Sequence, residues 1–321
     1  MEHRTLGRTG LKVTTVGMGC MITSDPSVVE RALDAGINYF DTAAAYGNGA
    51  SEENLGRVLK SLDPEIFLST KFTVLPEHKK DIARGIAQSL EQSLGRLGRD
   101  HVDLFQLHNR IASSGSDRPL DAATVLDQVV PALEALRQQG KIRFFGITAL
   151  GDTPALQKVV DSGAFDTAQI CHNLLNPSAS VALPPNFPAQ DFEKLAVRAH
   201  AKDMGTIGIR ILAGGALSGQ ETRHPTGANS VEPIASGPDY STDVKRAHAF
   251  QALVGAGYAR SLIEASLRFS FASEAMTTVL VGTSTLDQLE NAIACANRGP
   301  LTRAALDEAA RLWRNIAGAQ G

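Results

Sequence analysis

Short runs of apolar and β-branched residues alternate along the chain with longer stretches whose apolar residues recur every three or four positions. The first pattern is typical of strands and the second of amphipathic helices. The predicted strands are Thr15–Met18, Ile37–Thr42, Ile66–Phe72, Val102–His108, Ile142–Thr148, Thr167–His172, Thr206–Leu212 and Thr277–Val281. The predicted helices are Pro26–Ala35, Ser51–Ser61, Lys79–Leu97, Ala122–Gln139, Pro154–Ser162, Asp191–Met204, Tyr258–Ala272 and Leu286–Ala296.

Eight strands that are each followed by a helix predict a closed (β/α)8 TIM barrel. Residues 66–72 and 277–282 are almost continuously apolar or β-branched, as parallel strands buried on both faces are. An open doubly wound sheet gives a similar pattern, but the chain lacks a GxGxxG turn after an early strand. We therefore predict an α/β barrel formed as a single domain by residues 1–321, with an N-terminal hairpin and an extra C-terminal helix, Thr302–Arg314.

Two predicted loops lie on the face where the barrel strands end. Ala213–Thr242, after the seventh strand, is rich in Gly, Pro and Ser and is the longest segment without a clear period. Ile111–Pro119 follows the fourth strand. Because long loops in compact domains are usually lids or binding loops, we predict a functional role for Ala213–Thr242.

The composition indicates a globular protein that acts on a small molecule. The chain has 321 residues, of which 43% are hydrophobic and 20% charged, and its formal net charge is -3. No stretch concentrates Lys and Arg, so neither nucleic acid nor an anionic membrane surface is expected as a partner. The pattern leaves the oligomeric state open.

The N-terminal residues lack an apolar signal core, and nowhere do eighteen apolar residues follow one another, so we expect a cytoplasmic protein. The three cysteines, Cys20, Cys171 and Cys295, are far apart and lack the spacing of metal ligands. We predict buried reduced thiols and no metal site.

Four polar residues stand at or just beyond the ends of three consecutive strands. Asp41 is near the end of the second strand and Tyr46 lies in the loop after it, Lys71 ends the third strand, and His108 ends the fourth. Each alone has an ordinary structural explanation: a turn cap, a loop anchor, a solvated stem or a core histidine. Neighbouring strands of a barrel end close together, however, so we expect all four side chains to share one small volume.

Such a cluster is suited to moving a proton to or from an oxygen atom. A nearby ammonium stabilises a phenolate and makes a phenol a better acid, which is the role predicted for Lys71 beside Tyr46. Asp41 would keep the buried lysine charged, and His108 would hydrogen-bond and position a carbonyl oxygen. The set therefore predicts proton donation to oxygen while a hydride arrives at carbon.

The sequence resembles the aldo-keto reductase superfamily over nearly its whole length. The matching segments are LGRTGLKVTTVGMG (residues 6–19), FDTAAAYGNGASEENLG (40–56), STKF (69–72), DLFQLH (103–108), LAGGALSG (212–219) and VLVGTSTLDQLENA (279–292). The resemblance implies a barrel that binds NAD(P)H in extended form and reduces carbonyl groups with Asp41, Tyr46, Lys71 and His108 as the catalytic tetrad.

The resemblance also implies where the cofactor lies: the nicotinamide near the tetrad, and the adenine end against the loops after strands seven and eight. Small residues at 282–284 before a helix favour a phosphate, although Thr285 and Gln288 could form only a capping box there. The residues assigned to the cofactor are Gly19, Thr148, Gln169, Ile209, Arg210, Leu212, Gly214, Gly219, Gly282, Thr283, Ser284, Gln288 and Asn291.

The sequence departs from the family pattern in three places. Ala149 replaces the amide residue that usually helps to hold the nicotinamide carboxamide, and Ile209 replaces the ring that stacks on the nicotinamide. Residues 282–297 contain no Lys or Arg to neutralise the 2′-phosphate of NADPH. Arg210, Arg223 or Arg298 would have to substitute, and we expect NADP(H) with only a slight preference over NAD(H).

The residues expected to touch a substrate are Met21, Ile22, Phe72 and Asn109, and they do not specify which carbonyl compound or alcohol binds. Two other functions stay open. A barrel lyase would use Lys71 as a Schiff-base nucleophile. A cofactor-binding regulatory subunit would keep the tetrad but turn over little substrate.

Overall fold

Eight parallel strands close into a barrel in which every strand pairs with its neighbours in the chain and the eighth pairs with the first. The computed structural model describes residues 1–62, 64–113, 120–227 and 232–318. The barrel strands are Val16–Gly19, Tyr39–Asp41, Phe67–Phe72, Val102–Leu107, Ile142–Thr148, Thr167–Cys171, Gly205–Ile209 and Thr278–Gly282. The predicted (β/α)8 fold is confirmed.

Helices surround the barrel and bury their apolar faces against the outer face of the strands, where Phe105, Phe145 and Ile147 are fully buried. The α-helices are Pro26–Asp34, Ala50–Leu62, Ile82–Leu97, Ala122–Thr124, Val130–Gln138, Thr153–Asp161, Leu195–Ala201, Tyr240–His248, Gln251–Gly255, Leu262–Phe271, Leu286–Arg298 and Arg303–Gly318. Short 3-10 helices are Gly7–Thr9, Cys20–Ile22, Tyr46–Gly49, Pro76–Lys80 and Ala213–Ser218, and Val125–Val129 is a π-helix. The last α-helix is the predicted C-terminal extra helix.

The N-terminal hairpin closes the end of the barrel at which the strands begin. His3–Thr5 and Lys12–Thr14 pair antiparallel, and residues of the hairpin pack on the barrel interior. Its turn requires a glycine: Gly7 has φ +48°, and a Cβ there would lie 2.4 Å from the backbone nitrogen of Gly205. The opposite end, where the strands finish, is left for the functional site.

Two predicted helices begin too early in the sequence. Asp191–Met204 is reduced to Leu195–Ala201, because Glu193 and Lys194 adopt left-handed backbone conformations with φ of 49° and 59°. Tyr258–Ala272 begins only at Leu262, where the Ser261 side chain accepts a hydrogen bond from a backbone N–H of the first turn.

The predicted loop Ala213–Thr242 is longer than the loop in the structure. It ends inside the helix Tyr240–His248, which was not predicted, and neither was Gln251–Gly255. The Asp239 side chain caps the first of these helices, and the apolar faces of both pack into a second core cluster that includes the C-terminal helix. The other predicted loop, Ile111–Pro119, is described only to residue 113.

Backbone chemistry explains two further differences. Pro131 has no N–H to donate, and the predicted helix Ala122–Gln139 contains a π-helical turn just before it. The seventh strand ends at Ile209 rather than Leu212, because Arg210 turns into the left-handed region with φ 57°.

Candidate active site

Asp41 and Lys71 form a buried ion pair at the end of the barrel where the strands finish. Asp41 is the last residue of the second strand and Lys71 lies near the end of the third, and their exposed fractions are 2% and 1%. The Lys71 ammonium donates to the Asp41 carboxylate, to the Thr42 carbonyl at 2.7 Å and to the Tyr46 hydroxyl at 3.2 Å. All three ammonium protons therefore have oxygen acceptors.

These contacts keep the buried lysine charged. Burial by itself lowers the pKa of Lys71, but the Asp41 carboxylate and the Tyr46 oxygen outweigh it, so that the pKa is raised. Burial raises the pKa of Asp41, and the ammonium works against that shift. A charge-paired ammonium next to a phenol is the arrangement that the sequence predicted.

Tyr46 lies directly above this pair. It begins the 3-10 helix Tyr46–Gly49, and Gly47 and Asn48 after it have φ of 58° and 53°. This tight turn presents the ring over Lys71, with 4.7 Å between Nζ and the ring centroid. The ring is only half-buried, so its hydroxyl lies between a buried cation and the open face of the barrel.

His108 stands beside Tyr46 and is held neutral. The centroids of the two rings are 5.9 Å apart in an edge-to-face arrangement. Burial, together with the charges of Lys71 and Arg210, lowers the pKa of His108 to about 3. A neutral imidazole can donate one hydrogen bond to a carbonyl oxygen but does not compete with Tyr46 as an acid. The structure thus brings all four predicted residues together.

Two glutamines complete a polar layer beneath the tetrad. Gln169 Nε2 donates to Asp41 Oδ1 at 2.6 Å, and Gln106 Nε2 donates to the same oxygen at 3.4 Å and to Ser69 at 2.8 Å. The Gln169 amide oxygen accepts from Thr148 at 3.4 Å. Gln106 was missed by sequence reasoning, although it lies two residues before His108 and so faces the same side of the strand.

The predicted phosphate turn is present but is bonded to its own helix. The Thr285 side chain accepts a hydrogen bond from the backbone N–H of Gln288, at 3.3 Å. The Gln288 side chain accepts from the backbone N–H and the hydroxyl of Ser284, at 2.9 and 3.0 Å, rather than from Thr285 as a capping box requires. The Thr283 hydroxyl is buried and has no hydrogen-bond partner among the described residues. This orphaned hydroxyl fits a polar ligand at the turn.

The loop after the seventh strand approaches this turn. Thr226 and Ser284 share a hydrogen bond of 2.5 Å between their hydroxyls. Gly214 and Gly219 lie in or next to the 3-10 helix that follows Leu212, and both have positive φ. At the turn itself, Gly19 pairs with Gly282. Gly282 is exposed and Gly19 is half-buried, so the backbone there is accessible to a ligand.

Three residues that the sequence assigns to the cofactor make contacts within the protein itself. Ile209 packs against the cluster of the barrel interior at the end of its strand. Asn291 accepts a hydrogen bond from the Cys295 thiol at 3.8 Å within its own helix. Leu212 packs between the main core and the second cluster.

The arginines considered for a 2′-phosphate differ in their contacts. Arg298 is ion-paired with Glu264 at 2.5 Å. Arg223 donates to the Gly214 carbonyl and lies over a tyrosine ring. Within the part of the chain that the structure describes, Arg210 donates a hydrogen bond to the Glu232 carbonyl, at 3.3 Å. Arg298 thus already has a carboxylate partner, which it shares with Arg268.

The four residues predicted to line a substrate pocket separate into two groups. Met21 is 42% exposed, and Ile22 is half-buried beside Gly282, so both border the open face. Phe72 is 1% exposed and packs on Phe105 in the layer between strands and helices, with ring centroids 4.6 Å apart. Asn109 bonds the backbone of the loop after the third strand through both ends of its amide. The structure does not bring these last two side chains to the open face.

The three cysteines are free and buried, as predicted. Among the described residues, no group of three or more His, Cys, Asp or Glu side chains is arranged to hold a metal ion. Within the same residues, none of the helices combines the length and the apolar character needed to cross a membrane.

Comparison with known proteins places the chain in a family. The sequence profile of the Aldo/keto reductase family matches residues 24–314, so the chain belongs to that family. The L-galactose dehydrogenase of Arabidopsis thaliana is 30% identical over 312 residues, which cover 92% of this chain and 88% of that protein. A probable voltage-gated potassium channel subunit beta of the same plant is 30% identical over 160 residues, 46% of each chain.

A solved structure, the holo form of the aldo-keto reductase AKR11C1 from Bacillus halodurans, superposes with a TM-score of 0.72. It is 24% identical and the match covers 98% of this chain and 96% of that one, which shows the shared fold. Family membership supports an oxidoreductase that acts on small carbonyl compounds with a nicotinamide cofactor, as is general in the family.

Proposed function

We propose that this chain is an NAD(P)H-dependent reductase of aldehydes or ketones, or catalyses the reverse oxidation, with Tyr46 as the general acid and base. The observation that carries this proposal is the hydrogen bond of 3.2 Å from Lys71 Nζ to the Tyr46 hydroxyl, formed by an ammonium that is itself paired with Asp41. A phenol so placed can release its proton to a developing alkoxide, because the ammonium stabilises the phenolate left behind.

Each residue of the tetrad has one task in this mechanism. When bound, the cofactor supplies a hydride to the carbonyl carbon. Neutral His108 donates a hydrogen bond to the carbonyl oxygen and holds it near the Tyr46 hydroxyl. Tyr46 donates its proton to that oxygen, and Lys71, which Asp41 keeps charged, stabilises the phenolate. In the oxidative direction the same phenolate accepts the proton of the alcohol.

The residues at the open face fit a dinucleotide. The orphaned Thr283 hydroxyl and the accessible backbone at Gly19 and Gly282 provide hydrogen-bonding groups for a phosphate at the N-terminus of the helix Leu286–Arg298. Thr148 and Gln169 would lie beneath the nicotinamide. The expected slight preference for NADP(H) stays a prediction, and the occupied Arg298 does not favour it.

The contacts of Lys71 disfavour a Schiff-base lyase. A lysine nucleophile must be a free amine, whereas this one is buried, charged and bonded to three oxygens. Part of the chain also matches a probable potassium channel subunit beta, so a regulatory role is an outcome that the test must distinguish.

The proposal is tested by titrating the protein with NADH and NADPH and then measuring cofactor oxidation with a panel of aldehydes, ketones and aldoses. Oxidation of L-galactose with NAD+ and NADP+ is included, because of the related dehydrogenase. We expect micromolar cofactor binding and turnover with at least one carbonyl class. Tight binding without turnover across the panel would instead indicate a cofactor-binding regulatory protein.

A further inference from the structure

Arg210 occupies a strained position at the end of the seventh strand. Its φ of 57° lies in the left-handed region that non-glycine residues rarely adopt. The conformation is held by two hydrogen bonds to its carbonyl oxygen, from the Asn173 side chain at 2.9 Å and from the Ala213 backbone at 2.8 Å. Strain of this kind persists where the surrounding structure fixes a functional side chain.

The guanidinium of Arg210 has no carboxylate partner among the residues that the structure describes. Its side-chain hydrogen bond goes to the neutral carbonyl of Glu232 at 3.3 Å. Other partly buried arginines of the chain are compensated, as Arg96 is by Glu52 at 2.7 Å and Arg268 by Glu264 at 3.0 Å. The Glu232 carboxylate acts on the Arg210 charge only from beyond ion-pair distance. A half-buried cation with no anion in contact is unfavourable, because it has lost water and gained no close opposite charge.

Arg210 also acts on the catalytic groups. Burial lowers the pKa of Arg210, and the Tyr46 oxygen opposes that shift. The charge of Arg210 contributes to lowering the pKa of His108. Arg210 directly follows the seventh barrel strand, at the end of the barrel where Asp41 and Lys71 also lie, so an anion bound to its guanidinium would face the same cleft.

We propose that Arg210 is the receptor for an oxyanion in the active-site cleft, a phosphate or carboxylate that binds its planar fork of N–H groups. The binding of an anion by Arg210 does not depend on the proposed function, but the identity of the molecule that carries the anion does. The diphosphate of the cofactor and the acidic group of a charged carbonyl substrate share the required chemistry, and the two sources predict different measurements.

The test compares the wild-type chain with Arg210→Gln, Arg210→Lys and the control Arg303→Gln. The Arg303 side chain is 86% exposed and pairs with Asp307 at the surface, so its loss removes the same charge away from the cleft. Calorimetry measures the affinity for NADH and for inorganic pyrophosphate. Steady-state kinetics compares KM for succinic semialdehyde, which carries a carboxylate, with KM for neutral butyraldehyde.

If the anion belongs to the cofactor, Arg210→Gln weakens the binding of NADH and pyrophosphate by about tenfold or more, and Arg210→Lys weakens it less. If it belongs to the substrate, Arg210→Gln raises KM about tenfold or more for succinic semialdehyde but not for butyraldehyde, at unchanged NADH affinity. Affinities and KM values equal to those of Arg303→Gln overturn the proposal. If no carbonyl compound is turned over, which would count only against the proposed function, calorimetry with succinate replaces the KM values. Arg210→Gln then weakens the binding of either pyrophosphate or succinate, and affinities for both equal to those of Arg303→Gln overturn the proposal.

Discussion

His172 should make the protein sensitive to acid, and the structure gives the magnitude. Its ring is fully buried, stacks on Phe269 at 4.9 Å between centroids and bonds Ser180 at 2.7 Å, while its Nδ1 has no partner among the described residues. Burial lowers its pKa from 6.5 to about 4. Below pH 6.5 the unfolded chain binds a proton that the folded chain does not, so stability is lost as the pH falls toward 4.

Lowering the pKa of His172 from 6.5 to about 4 corresponds to about 3.4 kcal/mol of unfolding free energy in total, of which about 2 kcal/mol is lost by pH 5. The assay is urea unfolding of the wild type and His172→Gln at pH 8 and pH 5. Glutamine retains a group that can bond Ser180 but does not titrate, so the free energy of unfolding of the variant should fall by about 2 kcal/mol less. His101→Gln, at an exposed position, is the control. Equal pH dependence in wild type and His172→Gln would refute the reasoning.

Three other variants test the fold and the site. Gly7→Ala should lower the free energy of unfolding by at least about 1 kcal/mol more than Gly10→Ala does, because both glycines have positive φ but only Gly7 lies against the backbone of another strand. Urea unfolding measures both losses, and equal losses would contradict this. Lys71→Met should lower kcat by about two orders of magnitude or more in carbonyl reduction, since Tyr46 loses its ammonium, and a normal kcat would remove Lys71 from its role. Gln169→Leu should lower kcat about tenfold and alter the pH profile of kcat if the Gln169 amide acts mainly by its hydrogen bond to Asp41. Weaker cofactor binding with an unchanged pH profile would instead show that the amide binds the nicotinamide.

Most of the barrel and all of the tetrad were predictable, because both depend on local patterns. The apolar periods that predict strands and helices can be recognised in short stretches of consecutive residues. Asp41, Lys71 and His108 come at strand ends that barrel geometry brings together. Gln106 was missed because a glutamine inside a β-rich run carries no signal until its partner Asp41 is known to be 3.4 Å away.

The errors occurred where tertiary contacts decide the local structure. The helix Tyr240–His248 was not predicted, because its apolar face is defined by a second core cluster remote in sequence. Phe72 was assigned to the pocket because it follows Lys71 directly, yet alternate residues of a strand face opposite sides, and Phe72 packs outward on Phe105. That Arg210 has no ion-pair partner among the described residues is visible only in three dimensions.

The most direct test of the account is a single-turnover measurement on Tyr46→Phe. The substitution removes only the hydroxyl that Lys71 contacts, so the Kd of the preferred cofactor should change by less than about twofold. The rate of cofactor oxidation with a saturating carbonyl substrate should fall by about two or more orders of magnitude. A rate equal to that of the wild type would show that the proton comes from another group and would contradict the mechanism.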